Sequence, residues 1–130
     1  MPLKILIADD QKHARSGLMA LLRASMANPE IWEATNGREA QELAAEHRPD
    51  LVLMDIRMPE VDGLAATRWI KARVPMVKIL VLSLQGSGSA EARAAGADGF
   101  VSKCETPETL LARIAEILAG STARSYDAET

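Results

Sequence analysis

Five short apolar runs punctuate the chain, and between them apolar residues return at every third or fourth position. The runs occupy residues 3–8, 31–34, 51–54, 77–82 and 99–101. They are rich in Ile, Val and Leu and mostly lack the polar alternation of a sheet that is wet on one face. They predict strands buried on both sides, the habit of a parallel sheet between two helix layers.

The intervening stretches predict helices. Residues 11–26 place Ala14, Leu18, Leu21 and Leu22 on one side. Asn36 is the N-cap of a second helix, with Glu39 three positions on and Ala40, Leu43 and Ala44 as its inner face. A third helix covers about residues 64–71 and ends before Pro75. The last opens at Thr106-Pro107, a cap followed by proline at the first helical position, with Leu110, Leu111, Ile114 and either Ile117 or Leu118 facing inward. The fourth is weak: the segment from Ser83 to Ser89 is Gly- and Ser-rich, which leaves about residues 90–95 before Gly96 stops the helix. That helix is expected to be short or mobile.

Strict alternation of strand and helix implies an α/β fold, a doubly wound five-stranded parallel sheet with right-handed crossovers. The strand order expected is 2-1-3-4-5, as in flavodoxin-like folds, with a ligand crevice at the carboxyl ends of strands one and three. Residues 1–119 are read as one domain. Residues 120–130, small and polar, are read as a flexible linker or tail, which leaves open both an output domain not present here and a freestanding domain.

Composition narrows the function. The 130 residues carry a net charge of −3 with the cations scattered, so no surface for nucleic acid is expected. Cys104 is the only cysteine, which excludes an internal disulfide and argues against a cysteine zinc site. The apolar run at residues 3–8 is too short to span a bilayer and lacks the flanks of an export signal, so no membrane partner and a cytoplasmic location are expected.

The charged residues at the strand ends carry the chemistry. Asp9-Asp10 follow the first strand and Asp55 the third, so the fold gathers three carboxylates at one rim. Anions that crowded repel one another and call for a cation. Oxygen ligands without nearby His or Cys favour Mg²⁺ over Mn²⁺ or Ca²⁺. Lys103 after strand five and Ser83 after strand four add an ammonium and a hydroxyl that can each hold a phosphoryl oxygen. Nucleophile, metal, cation and hydroxyl together suit phosphoryl transfer.

Asp9-Asp10, Asp55-Ile56-Arg57-Met58-Pro59 with Asp62-Gly63, Ser83, Gly96-Ala97-Asp98-Gly99-Phe100 and Lys103, in this order and spacing, resemble the receiver domains of two-component response regulators. The resemblance covers about residues 4–118 and is greatest to receivers with a helix-turn-helix output. It implies Asp55 as phosphoacceptor, Asp10 and Asp55 as side-chain ligands of Mg²⁺, Asp9 acting through water, and the Arg57 carbonyl as a further ligand. It implies Ser83 and Phe100 as a switch pair, in which the hydroxyl moves toward the phosphoryl group and the ring fills the space left. A histidine kinase or phosphotransfer protein would be the partner, with homodimerisation left open and DNA met only through an output domain. No external substrate is turned over.

Other readings stand beside this one. His13 and His47 are most simply solvent-facing, Trp32 and Trp69 are partly buried or interface anchors, and Cys104 is a half-buried inert thiol with no cis peptide expected beside it. Leu84 stands where the family usually has a small residue, and the stretch from Ser83 to Phe100 is shorter than the family habit. Both departures leave open a binding module that works without phosphate. A Mg²⁺-dependent phosphatase ranks lower for want of a substrate cap, and a flavin site lower still, because Asp9-Asp10 would repel its phosphate.

Overall fold

The computed structural model of the chain describes residues 2–84 and 88–120. Its elements in order are β1 (Lys4–Ala8), α1 (Lys12–Ser25), β2 (Glu30–Ala34), α2 (Gly37–His47), β3 (Leu51–Asp55), α3 (Gly63–Arg73), β4 (Lys78–Ser83), α4 (Ser89–Ala94), β5 (Gly99–Ser102) and α5 (Pro107–Leu118). All strand pairs are parallel, in the order β2-β1-β3-β4-β5 that the sequence predicts.

The unbroken apolar runs have a direct physical reason. Successive residues of a strand point to opposite faces, and here both faces are dry. Leu6, Ala8, Val52, Met54, Ile79 and Val81 pack toward α2, α3 and α4, meeting Ala40, Ala44, Ala66, Ile70 and Ala92. Ile5, Ile7, Leu51, Leu53, Leu80 and Leu82 pack the other way, meeting Leu22 of α1 and Leu110, Ile114 and Ile117 of α5. Every residue of β3 is therefore buried.

The helix starts follow the capping chemistry. Asn36 Oδ1 accepts the Glu39 backbone N–H at 2.8 Å, and Glu39 in turn accepts from the Thr35 backbone at 2.6 Å. Thr106 Oγ1 accepts from Thr109 N–H at 3.2 Å, ahead of Pro107. In α5, Ile117 rather than Leu118 faces the core; Leu118 is 37% exposed and Leu111 half-buried. In α1 only Leu22 is fully buried, while Ala14, Leu18 and Leu21 are half-buried. Helix α3 is longer than expected at both ends, because Asp62 Oδ1 caps it through Ala65 N–H at 2.8 Å and the Val74 N–H still reaches Ile70 O.

Helix α4 is short, as expected: it spans 6 residues, has no side-chain cap, buries only Ala92, and is followed by Gly96 at φ +96°. The expected tail lies, beyond Gly120, outside the described residues. A staple ties the next junction, where Lys71 Nζ donates to Pro75 O, Val77 O and Asp98 Oδ2 at 3.1, 2.8 and 3.0 Å, and the same Asp98 oxygen accepts Ile79 N–H at 2.8 Å.

Two side chains differ from expectation. His13 is exposed, but His47 is half-buried, its ring stacked on Trp32 with centroids 4.4 Å apart. The stack forms because β2 and the end of α2 lie side by side. Cys104 is exposed rather than half-buried, because the turn joining β5 to α5 lies on the surface. Trp32 and Trp69 are both half-buried, Trp69 beneath the Arg73 guanidinium at 4.3 Å. No peptide bond among the described residues is cis.

Candidate functional site

A parallel sheet delivers all its strand ends to one rim, and register decides which residues meet there. Ala8 pairs with Met54, so Asp9 and Asp55 come abreast. Asp55 pairs with Leu82, and Ser83 with Ser102, so Ser83 and Lys103 close the other side. Oxygens of Asp9, Asp10 and Asp55 lie within 4.8 Å of one another. Asp10 and Asp55 border a concavity of about 240 Å³ that Gln11, Ile56, Arg57, Ser83, Leu84 and Lys103 help to line.

The three carboxylates are unequal. Asp9 is 1% exposed and fully engaged: Oδ2 accepts Lys103 Nζ at 2.6 Å and Oδ1 accepts Gln11 N–H at 2.9 Å. Asp55 is 8% exposed and stands 3.3 Å from Lys103 Nζ. Asp10 is exposed, and its side chain makes no hydrogen bond among the described residues. Burial pushes the Asp55 carboxyl above its usual range; Lys103 opposes this, and the charges of Asp9 and Asp10 add to it. For Lys103, burial pulls the ammonium down, but the hydrogen bond it donates to Asp9 and the charges of Asp55 and Asp9 outweigh it, so the net shift is upward.

Lys103 is held in place from behind, since its backbone N–H donates to Ser83 O at 2.7 Å. Asp9 is held similarly: its N–H donates to Ala34 O at 3.0 Å, and Arg15 Nη1 donates to the Asp9 carbonyl at 2.8 Å while its Nε meets Glu33 at 2.9 Å. Sequence reasoning missed Arg15 and Gln11. A charged residue on the half-buried side of α1, one turn past the acidic pair, was the available signal for Arg15.

The other expected residues fall in different places. Ser83 and Arg57 line the concavity, and Leu84, 67% exposed, stands at its rim. Phe100 does not reach it; the ring is 1% exposed and packs in the layer under α2 to α4. A Cβ built on Gly88, whose φ is +118°, would stand 3.3 Å from Ile56 Cδ1 and 3.6 Å from Phe100 Cε1, so the chain passes directly over that ring. Gly63 is closer still to the end of β3: a Cβ there would collide with the Asp55 carbonyl. Its N–H donates to Ile56 O at 2.7 Å, tying the start of α3 to the strand end that carries Asp55.

Known proteins resemble this chain in sequence and fold. The sequence profile described as the response regulator receiver domain matches residues 5–115. The chain belongs to that family. As a receiver domain, it is a module of two-component signalling. It is 39% identical over 120 residues to the transcriptional regulatory protein LnrK of Bacillus subtilis (strain 168), covering 91% of this chain and 54% of LnrK. A LuxR-family two-component response regulator from Aurantimonas sp. SI85-9A1 superposes with a TM-score of 0.86 at 30% identity, covering 99% of this receiver and 98% of that chain. The BeF3-activated DrrB receiver domain, from Thermotoga maritima, superposes with a TM-score of 0.80 at 27% identity, covering 92% and 99%. The receiver spans about half the length of the transcriptional regulators it matches. No helix among the described residues is long and apolar enough to cross a membrane.

The donor set suits a hard divalent cation. Three carboxylates converge with no His or Cys among them, Asp10 is unengaged, and the neighbouring anions help to hold the Asp55 carboxyl above its usual range.

Proposed function

We propose that this receiver accepts a phosphoryl group on Asp55 from a histidine kinase or phosphotransfer protein in the cytoplasm, and that phosphorylation alters a protein-interaction surface controlling transcription. The supporting observation is the position of Lys103 Nζ, 2.6 Å from Asp9 and 3.3 Å from Asp55 beside an open acidic concavity. Asp10 and Asp55 would hold Mg²⁺ by their side chains, Asp9 through water, and Arg57 by its carbonyl. Mg²⁺ would supply charge neutralisation for an approaching phosphoryl group.

The residues divide the work. An Asp55 oxygen attacks phosphorus as the bond to the donor's imidazole nitrogen breaks, and the electron pair leaves with that nitrogen. Lys103 exchanges part of its contact with Asp55 for a phosphoryl oxygen, while Asp9 keeps the ammonium in place. The Ser83 hydroxyl, half-buried at the concavity, donates to another. The protein thereby catalyses its own modification and turns over no external substrate. DNA binding would belong to an output domain beyond residues 1–119, with residues 120–130 as the linker, and homodimerisation is a further outcome to be measured.

Incubating the protein with phosphoramidate and Mg²⁺, followed by intact mass, tests this reading. One acid-labile phosphoryl adduct is expected on the wild type and none on Asp55→Asn. An undiminished adduct on that variant, or none on the wild type, refutes it. Exposed Leu84 at the rim and the short α4 favour a second reading, a module that binds its partner without phosphate. Partner affinity unchanged by phosphodonor and by Asp55→Ala would select it.

A further inference from the structure

We propose, on the reading of Asp10 as a Mg²⁺ ligand, that Arg15 braced by Glu33 is a positioning residue for the metal site. By gripping the Asp9 carbonyl it fixes the peptide that joins Asp9 to Asp10, and with it the place where the Asp10 carboxylate stands. Arg15 acts from behind the site, since it is not among the residues that line the acidic concavity.

Local structure does not explain this arginine. Its side chain is only 12% exposed, and a guanidinium is rarely covered to that extent unless it is paired. It follows Gln11, the N-cap of α1, by four residues, and the first turn of that helix holds no acidic residue to offset its charge. A cation so near a helix N-terminus gains nothing from the helix dipole. Its partners come from elsewhere in the fold: Nε donates to Glu33 Oε1 at 2.9 Å and Nη1 to Asp9 O at 2.8 Å. Glu33 is in place because β2 pairs with β1 in register, which sets it beside Ile7 on the face that α1 covers. The planar fork of the guanidinium lets one side chain meet both oxygens. Because the Glu33 side chain is 41% exposed, the ion pair by itself adds little stability.

The two aspartates depend on this grip to different degrees. Asp9 is also fastened by other groups, through its N–H to Ala34 O, through Oδ1 to the Gln11 N–H and through Oδ2 to Lys103. Asp10 is exposed, and its carboxylate makes no hydrogen bond among the described residues, so its backbone alone places it. That backbone begins with the peptide whose oxygen Arg15 holds, a rigid plane that carries the Asp9 C=O and the Asp10 N–H together. Without the Arg15 hydrogen bond the plane can turn while the Asp9 side chain stays on Lys103. The oxygens of Asp9, Asp10 and Asp55 would then gather less often within the 4.8 Å they now share.

Charge and positioning predict opposite signs. Removing a cation near three carboxylates should tighten Mg²⁺ binding by attraction alone, whereas losing the grip should loosen it. Titration calorimetry of the whole chain with Mg²⁺, without phosphodonor, reads the difference. Arg15→Ala should weaken Mg²⁺ binding by about tenfold, as when a group that supports a metal ligand is lost. Glu33→Ala should weaken it as well. Glu33→Gln carries the same charge as Glu33→Ala but keeps an oxygen for Nε, and should stay within about twofold of the wild type. With phosphoramidate, the maximal rate of Arg15→Ala at saturating Mg²⁺ should fall far less than its Mg²⁺ affinity; an equal fall in both marks a merely structural residue and overturns the proposal. Unchanged or tighter binding by Arg15→Ala overturns it too, as does equal weakening by Glu33→Ala and Glu33→Gln, the comparison that decides if Arg15→Ala fails to fold. A wild type that binds no Mg²⁺ would overturn the metal reading of the site, and the proposal with it.

Discussion

The helices that cover one face of the sheet, α2 and α3 against α4, are built to different standards. On the β2-β1-β3 side, α2 and α3 each start with a side-chain cap, and α3 buries Gly63, Ala66, Thr67 and Ile70. On the β4-β5 side, α4 has 6 residues, no side-chain cap, and only Ala92 buried. Both halves nevertheless meet at one rim, Asp9 and Asp55 coming from the first and Ser83 and Lys103 from the second. The difference teaches where a signal can go. Anions held by Arg15, Gln11 and the Gly63 junction cannot yield to a new charge cheaply, whereas a thin helix with few buried groups has a small opening free energy. A perturbation at Asp55 therefore has its least-resisted route through Ile56 and Gly88 toward α4.

Breaking each half in turn sharpens the contrast. Gly63→Ala should have the largest effect, about 3 kcal/mol or more, because its methyl would enter the Asp55 carbonyl and neither backbone can retreat. Chemical denaturation would measure it. Gly88→Ala should cost less, about 1–2 kcal/mol for the left-handed backbone, since Ile56 Cδ1 is the movable end of a side chain. Equal costs for the two glycines would contradict the division into firm and yielding halves. Asp62→Ala should remove about 1 kcal/mol by uncapping α3, visible as a lower Tm, while Ser89→Ala at the uncapped α4 should change stability by less than about 0.5 kcal/mol.

The smallest effect expected is a slope with pH. Burial, with the charges of Asp9 and Asp10, holds the folded Asp55 carboxyl above 3.8 despite Lys103. Between 3.8 and that raised value the folded chain binds more protons than the unfolded one, so stability present at lower pH is lost as pH rises through the window. Denaturation midpoints across acid pH in Mg²⁺-free buffer should fall less steeply for Asp55→Asn than for the wild type. The Lys103 ammonium, also raised, contributes stability that persists below 10.5 and is lost above its folded value.

The fold was legible because burial on both faces leaves uninterrupted apolar runs, and because Asn36 and Thr106 announce their helices through hydrogen bonds made within four residues. The site was legible for a related reason, since strand ends of a parallel sheet share a rim whatever the loops do. What stayed hidden depends on neighbours distant in sequence. Nothing near His47 predicts that Trp32 will cover its ring, and nothing near Lys103 says that its shorter contact is with Asp9 rather than Asp55. The Asp62 cap was hidden differently: the Asp62-Gly63 pair was read for its family resemblance, which left its backbone role unused.

The placement of the tryptophans decides what an optical experiment can see. Trp32 stacks on His47 at the outer edge of β2, Trp69 sits on α3 under Arg73, and the chain holds only these two indoles. Their emission reports on the firm side of the molecule and is poorly placed to register rearrangement of α4, so an unchanged spectrum after adding a phosphodonor would not mean an inert protein. A fluorophore introduced near Ala90, on the exposed side of that helix, would look at the part expected to move.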